Sequence, residues 1–260
     1  MAEKDYTVPA LQRGLQILEM FTGQSRRLTQ AEMADAFGVS LGSLYRIVQT
    51  LTNMGYLRRV GVNSYELGSQ VLSRGFCYLA SREISEIAAP YIIKLRDITS
   101  LSSHLAIREG RETIYIFRAL ASQILAVNVP LGMRYPCHTT AMGRVLLTGM
   151  CADELEALYS GQRLDGYPEP APQTFPELVE LCRKESGQGW SIHFSDYSTA
   201  LAVPIYDHMN NVVAAINVSV PDAIMKKTGM QERLLDMLKD SASKISQDIS
   251  GYSKEKAHSL

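Results

Sequence analysis

The sequence has few of the residues and patterns that mark secreted, membrane or metal-binding proteins. Its 260 residues include only four cysteines, five histidines and one tryptophan. No apolar run approaches the roughly 18 residues that cross a membrane, and the short polar stretch before Thr7 lacks the apolar core of a secretion signal. We therefore expect a cytoplasmic protein that does not associate with membranes.

The scarce cysteines and histidines also stand at the wrong spacings for a metal site. Cys77, Cys137, Cys151 and Cys182 are far apart and form no C-x-x-C pair, which predicts reduced thiols in or near the core. The histidines likewise lack the short spacings of zinc ligands. The sequence predicts no metal and no cofactor.

Common catalytic motifs are missing as well. There is no G-x-S-x-G motif, no phosphate-binding P-loop and no pair of carboxylates at catalytic spacing. Cys137 beside His138 suggests a nucleophile and its base, but adjacent residues seldom face each other and no third, orienting residue is apparent. We predict that the protein is not an enzyme.

The sequence does contain enough apolar residues, 46% of the chain, to build one large or two ordinary domains. Its net charge is only −1. Residues 1–76 carry eight basic against six acidic residues, whereas the remainder carries eighteen against twenty-one. This mild segregation suggests that the chain has a separate surface for a partner.

The pattern of residues in the first third of the sequence predicts a helix-turn-helix. A first helix is expected from Pro9, with an apolar face made of Leu11, Leu15, Leu18 and Phe21. Thr29 and Glu32 form a capping box that begins a second helix, and Gly38 suits its left-handed end. Ser40 would then cap a third helix after a turn of about three residues, which is the spacing of a helix-turn-helix.

The stretch from Ser40 to Leu51 predicts the helix that would meet DNA. Its apolar positions recur at i, i+3, i+4 and i+7, at Leu44, Ile47, Val48 and Leu51. In a helix-turn-helix the second helix enters the major groove and presents its polar side to the bases. The candidate DNA-binding residues on this side are Ser40, Ser43, Tyr45, Arg46 and Gln49.

The run YLRRVGVNSYEL, which follows, predicts a β-hairpin that would stand beside the helices as a wing. Arg58 and Arg59 in this wing, with Arg26 and Arg27 before the second helix, are expected to contact the DNA backbone. The alternative is an ordinary amphipathic helix with a solvated polar face. The order of capping box, glycine turn and arginine-rich wing favours DNA binding.

These motifs resemble those of a known family. LQRGLQILEMF, LTQAEMADAFGVSLGSLYRIVQTLTNMGYLRR and YELG are similar to the N-terminal domain of the IclR family of bacterial transcriptional regulators. AAPYIIKL, VPLGMRYPCHTTAMGRVLL and ALAVPIYDHMNNVVAAINVSVP resemble segments of its sensor domain. The resemblance covers nearly the whole chain.

Membership of this family implies an α+β protein. It would consist of a winged helix-turn-helix DNA-binding domain at 1–69, a linker helix at 70–83 and a GAF-like effector-binding domain at 84–260. The resemblance also implies a homodimer or tetramer that binds a double-stranded DNA operator. Leu41 and Gly42 depart from the family, which usually has a basic residue and a serine there, so the operator sequence is not carried over.

The remainder of the chain predicts strands, then helices, then strands, as in an α+β sensor domain. Gly110 suits a hairpin turn between β-rich runs in 102–118. Further strands are expected over 124–129, 201–205 and 212–219, and helices over 70–82, 84–99, 139–147, 153–159, 175–186 and 230–249. Pro90 predicts a kink or restart within the second of these helices.

The resemblance implies that a small effector contacts Ile124, Val127, Tyr135, Ala141, Met142, Ser198, Ala200, Asn217 and Ser219. Thr139 is expected to cap a helix and to leave the N–H groups of Ala141 and Met142 free for a carboxylate. Asn217 and Ser219 lie two apart on a strand, so both would face a polar ligand. The alternative is that these two are hydrogen-bonded core residues and that Thr139 is an ordinary cap.

The sequence therefore predicts a ligand-responsive DNA-binding transcriptional regulator, most simply a repressor released by a small organic acid of a catabolic pathway. The region GWSIHFSDYSTALAVP is shorter than its counterpart in the family and lacks an acidic pair, so no particular effector is carried over. Three alternatives remain open. They are an activator of the same family, an enzyme with a DNA-binding appendage, and a DNA-binding assembly protein without a ligand.

Overall fold

The computed structural model describes residues 7–80, 83–122, 129–195 and 198–257. The chain divides into two units, Met1–Ser81 and Arg82–Leu260, and each has its own hydrophobic core. Within the described residues, no helix is long and apolar enough to cross a membrane.

The described residues of the N-terminal unit, 7–80, form four helices and a small sheet. The helices are α1 (Pro9–Glu19), α2 (Gln30–Phe37), α3 (Leu41–Asn53) and α4 (Ser69–Ala80). The strands β1 (Leu28–Thr29), β2 (Leu57–Arg59) and β3 (Ser64–Leu67) pair antiparallel in the order β1-β3-β2. The last two form the expected wing, so the winged helix-turn-helix prediction is confirmed.

Local signals define the ends of α2 and α3 as predicted. The Thr29 hydroxyl accepts from the N–H of Glu32, and the Glu32 carboxylate accepts from the N–H of Thr29, which completes the capping box. Gly38 ends α2 with a φ of 60°, a conformation that costs glycine little. Ser40 then caps α3 after a turn of three residues.

The predicted apolar face of α1 is confirmed for Leu18 and Phe21 and wrong for Leu11 and Leu15. Leu18 packs against the core and Phe21, just after the helix, is buried, whereas Leu11 and Leu15 are 63% and 55% exposed. The helix also buries Gly14 and Ile17, which recur at helical spacing as well, so periodicity alone could not choose between the two stripes. Gly14 lies where α1 faces α3, since a Cβ at this position would be 3.6 Å from the Ile47 side chain.

The C-terminal unit is built on a six-stranded antiparallel sheet of order β6-β5-β4-β9-β8-β7. Its strands are β4 (Ser102–Glu109), β5 (Glu112–Ala119), β6 (Arg134–Pro136), β7 (Ser191–Phe194), β8 (Ser198–Tyr206) and β9 (Val212–Pro221). Its helices are α5 (Glu83–Thr99), α6 (Ala141–Leu147), α7 (Ala152–Tyr159), α8 (Phe175–Gln188), α9 (Asp222–Met225) and α10 (Met230–Ala257). Helices α5 and α10 pack on one face of the sheet and α6 packs on the other. This arrangement confirms the α+β class.

Several boundaries differ from those expected. Helix α5 continues through Pro90, so the proline does not restart it. The helix predicted over 139–147 is two elements, a 3-10 helix at Cys137–Thr139 and then α6, separated by the extended residue Thr140. The strand predicted over 124–129 falls almost entirely outside the described residues. Cys137 and Cys182 are buried, but Cys77 and Cys151 are exposed, so the prediction of core thiols is wrong for those two.

A buried ion pair holds α6 in place. Arg144 on α6 and Glu185 on α8 are each 2% exposed, and Arg144 Nε lies 3.0 Å from Glu185 Oε1. Arg144 Nη2 also donates to the Ser191 hydroxyl on β7 at 3.0 Å. Burial raises the pKa of Glu185, and the charge of Arg144 opposes that shift. The pair therefore ties α6 to α8 and to the edge of the sheet.

Candidate functional site

The polar side of α3 is exposed, as the DNA-binding prediction requires. Tyr45 is 52% exposed, and Arg46 and Gln49 are exposed on the same helix. Ser40 has a structural task as well, because its hydroxyl accepts from the N–H of Ser43 at 3.3 Å. This cap stabilises the start of the helix and leaves the side chains of Ser43, Tyr45, Arg46 and Gln49 unused by it.

The α3 candidates fall into two groups by their neighbours. Gln49 donates to Asn53 at 2.8 Å. Asn53 is an exposed amide one turn further along that sequence reasoning missed, although its i, i+4 spacing from Gln49 was visible. Ser43 and Arg46 lie nearer α1, where they line a groove with Leu11 and Leu15.

The arginines expected to meet the DNA backbone are all exposed, but two of them share one counter-charge. Arg27 and Arg58 lie 2.6 Å and 2.7 Å from the two carboxylate oxygens of Glu66 on β3. These two hydrogen bonds lower the pKa of Glu66, so the carboxylate stays ionised at neutral pH. Sequence reasoning missed Glu66 because it lies opposite Arg58 only through the hairpin register.

The other two arginines bond to nearby backbone oxygens. Arg26 donates to the carbonyl of Gly23 at 3.1 Å, and Arg59 donates to that of Val62 at the tip of the wing. Because these carbonyl partners are neutral, they do not neutralise the two guanidinium charges. The exposed face of α3 and the positively charged wing together form a surface suited to duplex DNA.

The candidate effector site lies on the face of the large sheet that α6 covers. Alternation along β9 places Asn217 and Ser219 on this face, in line with Ala215. Asn217 is 4% exposed and Ser219 is 7% exposed. The strand register pairs Asn217 with His104 on β4, and Ser219 with Ala200 on β8.

Most of the predicted effector contacts meet here. One apolar cluster contains the predicted residues Tyr135, Ala141, Met142 and Ala200 together with Ala106, Tyr115 and Ala202. Ser198 precedes Ala200 by two residues on β8 and bonds to the hydroxyl of Ser195 at 2.9 Å. Ile124 and Val127 lie outside the described residues.

Asn217 is already engaged by a residue that sequence reasoning did not include in the site. Its Oδ1 accepts from the backbone N–H of His104 at 3.2 Å and lies 2.9 Å from His104 Nδ1. The alternative, that Asn217 is a hydrogen-bonded core residue, is therefore correct for its side-chain carbonyl oxygen. Because 113 positions separate the two residues, only the β4–β9 register reveals the pair.

The expected cap of α6 is wrong by one residue. The hydroxyl of Thr140, not that of Thr139, accepts from Gly143 N–H at 3.0 Å, while Thr139 donates to the carbonyl of Pro136. A Cβ at Gly143 would lie 2.3 Å from the carbonyl oxygen of Cys137, so this position needs glycine. Helix α6 has only seven residues, which weakens the expected attraction of a carboxylate to its first turn.

Cys137 and His138 do not form a nucleophile and base. The Cys137 thiol is buried, accepts from the Thr113 hydroxyl at 3.4 Å, and has its pKa raised to about 11 by that burial. The His138 ring packs edge-on against Tyr159 and Tyr167. No group of three or more potential metal ligands occurs in the part of the chain that the structure describes.

Two sequence models of known domains match this chain. Residues 10–61 match the IclR helix-turn-helix domain, and residues 76–247 match the C-terminal domain of the bacterial transcriptional regulator IclR. Together they span the α3 surface, the first strand of the wing and the sheet face described above.

Relatives and solved structures agree with these matches. The Pca regulon regulatory protein of Pseudomonas putida is 29% identical over 233 residues, 88% of this chain and 80% of that protein. The transcriptional repressor AllR of Salmonella typhi is 23% identical over 244 residues, 91% of this chain and 88% of that protein. An IclR homologue from Microbacterium hydrocarbonoxydans, solved with 4-hydroxybenzoate, has the same fold with a TM-score of 0.79 at 19% identity, over 92% of this chain and 98% of that one. The chain belongs to the IclR family of bacterial transcriptional regulators.

Proposed function

We propose that this regulator is a repressor that binds operator DNA through α3 and the wing and releases it when a small organic acid binds in the C-terminal unit. The observation that carries the proposal is the exposed polar face of α3, capped at Ser40 and set beside an arginine-rich wing. The name of the AllR relative supports the repressor assignment, and the complex of the Microbacterium homologue supports a small acid as effector.

The α3 residues and the arginines would divide the work on DNA. Arg46 and Gln49 are suited to base edges, because Arg pairs with guanine and Gln with adenine in two-bond geometry. Ser40, Ser43 and Tyr45 would contact phosphates or bases from the start of the helix. Arg26, Arg27, Arg58 and Arg59 would contact the backbone and supply affinity without sequence preference.

Regulation would follow from a coupling between two binding sites. A homodimer presents two copies of α3 to half-sites about 34 Å apart. An effector that favours another spacing of the two helices weakens DNA binding, and DNA must then weaken effector binding by the same factor, corresponding to roughly 1 to 3 kcal/mol. A tetramer would bind two such pairs of half-sites.

The test is a fluorescence-anisotropy titration of full-length protein with DNA taken from upstream of its own reading frame. Arg46→Ala should weaken operator binding by about 5- to 150-fold, because a good two-bond base contact contributes about 1 to 3 kcal/mol. Arg183→Ala is the matched control, since Arg183 is an exposed arginine paired with Glu180 on α8. Equal binding by both variants across salt concentrations would refute the placement of the DNA surface.

The same titration reveals the direction of regulation. Acids that stabilise the protein in a thermal-shift screen are added to the complex, and each should release the DNA. The double variant Asn217→Ala, Ser219→Ala should bind operator normally and resist this release. Tighter DNA binding with effector would indicate an activator instead, and turnover of the acid would indicate an enzyme.

A further inference from the structure

His104 lies at the centre of the candidate effector site with half of its hydrogen-bonding capacity unused. Its side chain is 0% exposed and shares the sheet face of Asn217, its cross-strand partner on β9. Its ring meets Tyr115 edge-on at 5.6 Å, and Tyr115 in turn meets Tyr135. Both tyrosines belong to the apolar cluster that contains Ala141 and Met142.

The contacts of Asn217 determine which nitrogen of His104 carries the proton. The backbone N–H of His104 is always a donor, so the side-chain atom of Asn217 that faces it is the carbonyl oxygen. The same oxygen faces His104 Nδ1 at 2.9 Å, and an oxygen of this kind only accepts. Nδ1 is therefore protonated, and in a neutral imidazole the other nitrogen, Nε2, is a bare acceptor.

Nε2 of His104 is buried and has no hydrogen-bond partner among the described residues. A buried acceptor without a partner is costly, so such atoms in native proteins usually have a role. Burial also lowers the pKa of His104, which keeps the ring neutral and Nε2 an acceptor at physiological pH. The atom would bind a donor, and it would repel a carboxylate.

We infer that His104 Nε2 accepts a hydrogen bond from a hydroxyl group of the effector, which makes the effector a small hydroxy acid. Arg118 is the cross-strand neighbour of His104 on β5 and brings positive charge to the same sheet face, where the acid group of the ligand would lie. This inference rests on the proposed function, since it specifies the ligand of the same site.

The experiment compares ligands that differ only in the donor. Calorimetric titration of the full-length protein uses two pairs, 4-hydroxybenzoate with 4-fluorobenzoate, and lactate with pyruvate. Fluorine and a keto oxygen can accept but cannot donate, so each pair asks whether the site needs a donor. In the pair that binds, the ligand with the hydroxyl group should bind about tenfold tighter or more, because the ligand without it leaves Nε2 of His104 unpaired.

Two variants then attribute the preference to His104. His104→Phe keeps an aromatic ring against Tyr115 but removes Nε2, so the hydroxy and non-hydroxy ligands should bind equally. Asn217→Asp keeps an acceptor for both His104 donors and favours the imidazolium, which turns Nε2 into a donor. The preference for the hydroxy ligand should then disappear or reverse. The second variant serves as the test if the first fails to fold.

The outcomes separate this inference from the proposed function. Equal binding of both members of a pair to the natural protein, or an unchanged preference in Asn217→Asp, would overturn the assignment of His104 and leave the effector site in place. If neither pair binds while other acids release the operator, the hydroxy-acid assignment is wrong and the regulator stands. If no acid binds or releases DNA, the proposed function itself fails.

Discussion

The two units of this protein place their polar residues in opposite surroundings. In the N-terminal unit the candidate polar residues of α3 and the arginines of the wing are exposed, and their hydrogen bonds lie at the surface, as between Gln49 and Asn53. In the C-terminal unit His104, Asn217, Arg144 and Glu185 are each less than 5% exposed and bond across long stretches of chain. A surface that reads DNA needs accessible side chains, whereas a site that selects a small molecule needs its polar atoms fixed in a dry environment.

The largest expected effect concerns the buried polar residues of the C-terminal unit. Arg144→Ala leaves Glu185 as an uncompensated buried charge and should lower the free energy of unfolding of the C-terminal unit by about 3 to 5 kcal/mol. Arg183→Ala, which breaks the exposed pair with Glu180, should change it very little. Scanning calorimetry of the full chain measures both variants. Comparable losses would mean that burial of the ion pair does not matter.

A smaller effect tests the exposed side. Glu66→Gln removes the carboxylate that Arg27 and Arg58 share, so both guanidinium groups become available to phosphates. We expect operator affinity to rise a few-fold and to fall more steeply with salt, because more counterions are released on binding. Anisotropy titrations at several salt concentrations measure both quantities. Glu180→Gln should leave them unchanged, and a loss of affinity in Glu66→Gln would indicate that the carboxylate positions the wing.

The smallest expected effect is a difference between the two units in how their stability depends on pH. Burial lowers the pKa of His104, His138 and His193 in the folded C-terminal unit, so the unfolded chain takes up protons first as the pH falls. The stability of this unit should therefore be complete above about pH 6.5 and should decrease below it. The N-terminal unit has no histidine, and its shifted carboxyls, Glu32 and Glu66, have lowered pKa values.

That contrast gives the measurement its internal control. The contribution of Glu32 and Glu66 is present above their ordinary pKa of about 4.5 and is lost only as the pH falls below that value. Thermal unfolding between pH 7.5 and pH 5.5, with a probe in each unit, should show a falling Tm for the C-terminal unit alone. A parallel decline in both units would mean that the buried histidines do not cause it.

How much the sequence could predict also differs between the units. The capping box at Thr29, the glycine at Gly38 and the cap at Ser40 act over three or four residues, so the helix-turn-helix could be predicted from local patterns. The buried face of α1 could be predicted only in part, because the stripe through Leu11 and Leu15 competes with the one through Ile17, and the packing decides between them. The wing arginines could be named, but their shared partner Glu66 emerges only from the strand register.

The location of the effector site could be predicted from the sequence, but the hydrogen bonds within it could not. Asn217 and Ser219 could be placed on one face of a strand by alternation. That Asn217 orients His104 depends on a pairing across 113 positions, which no local pattern encodes. Thr139 and Thr140 are equivalent as caps in sequence, and only the fold shows that Thr140 is the extended residue that accepts from Gly143, while Thr139 belongs to the preceding 3-10 helix.

Strand β9 separates two layers of the C-terminal unit and contributes side chains to both. Asn217 and Ser219 line one side, while the alternate residues Ile216 and Val218 are fully buried on the side of α5 and α10. Close-packed interiors transmit small displacements instead of absorbing them. A ligand bound against one side of β9 would therefore displace the helices packed on the other side without touching them.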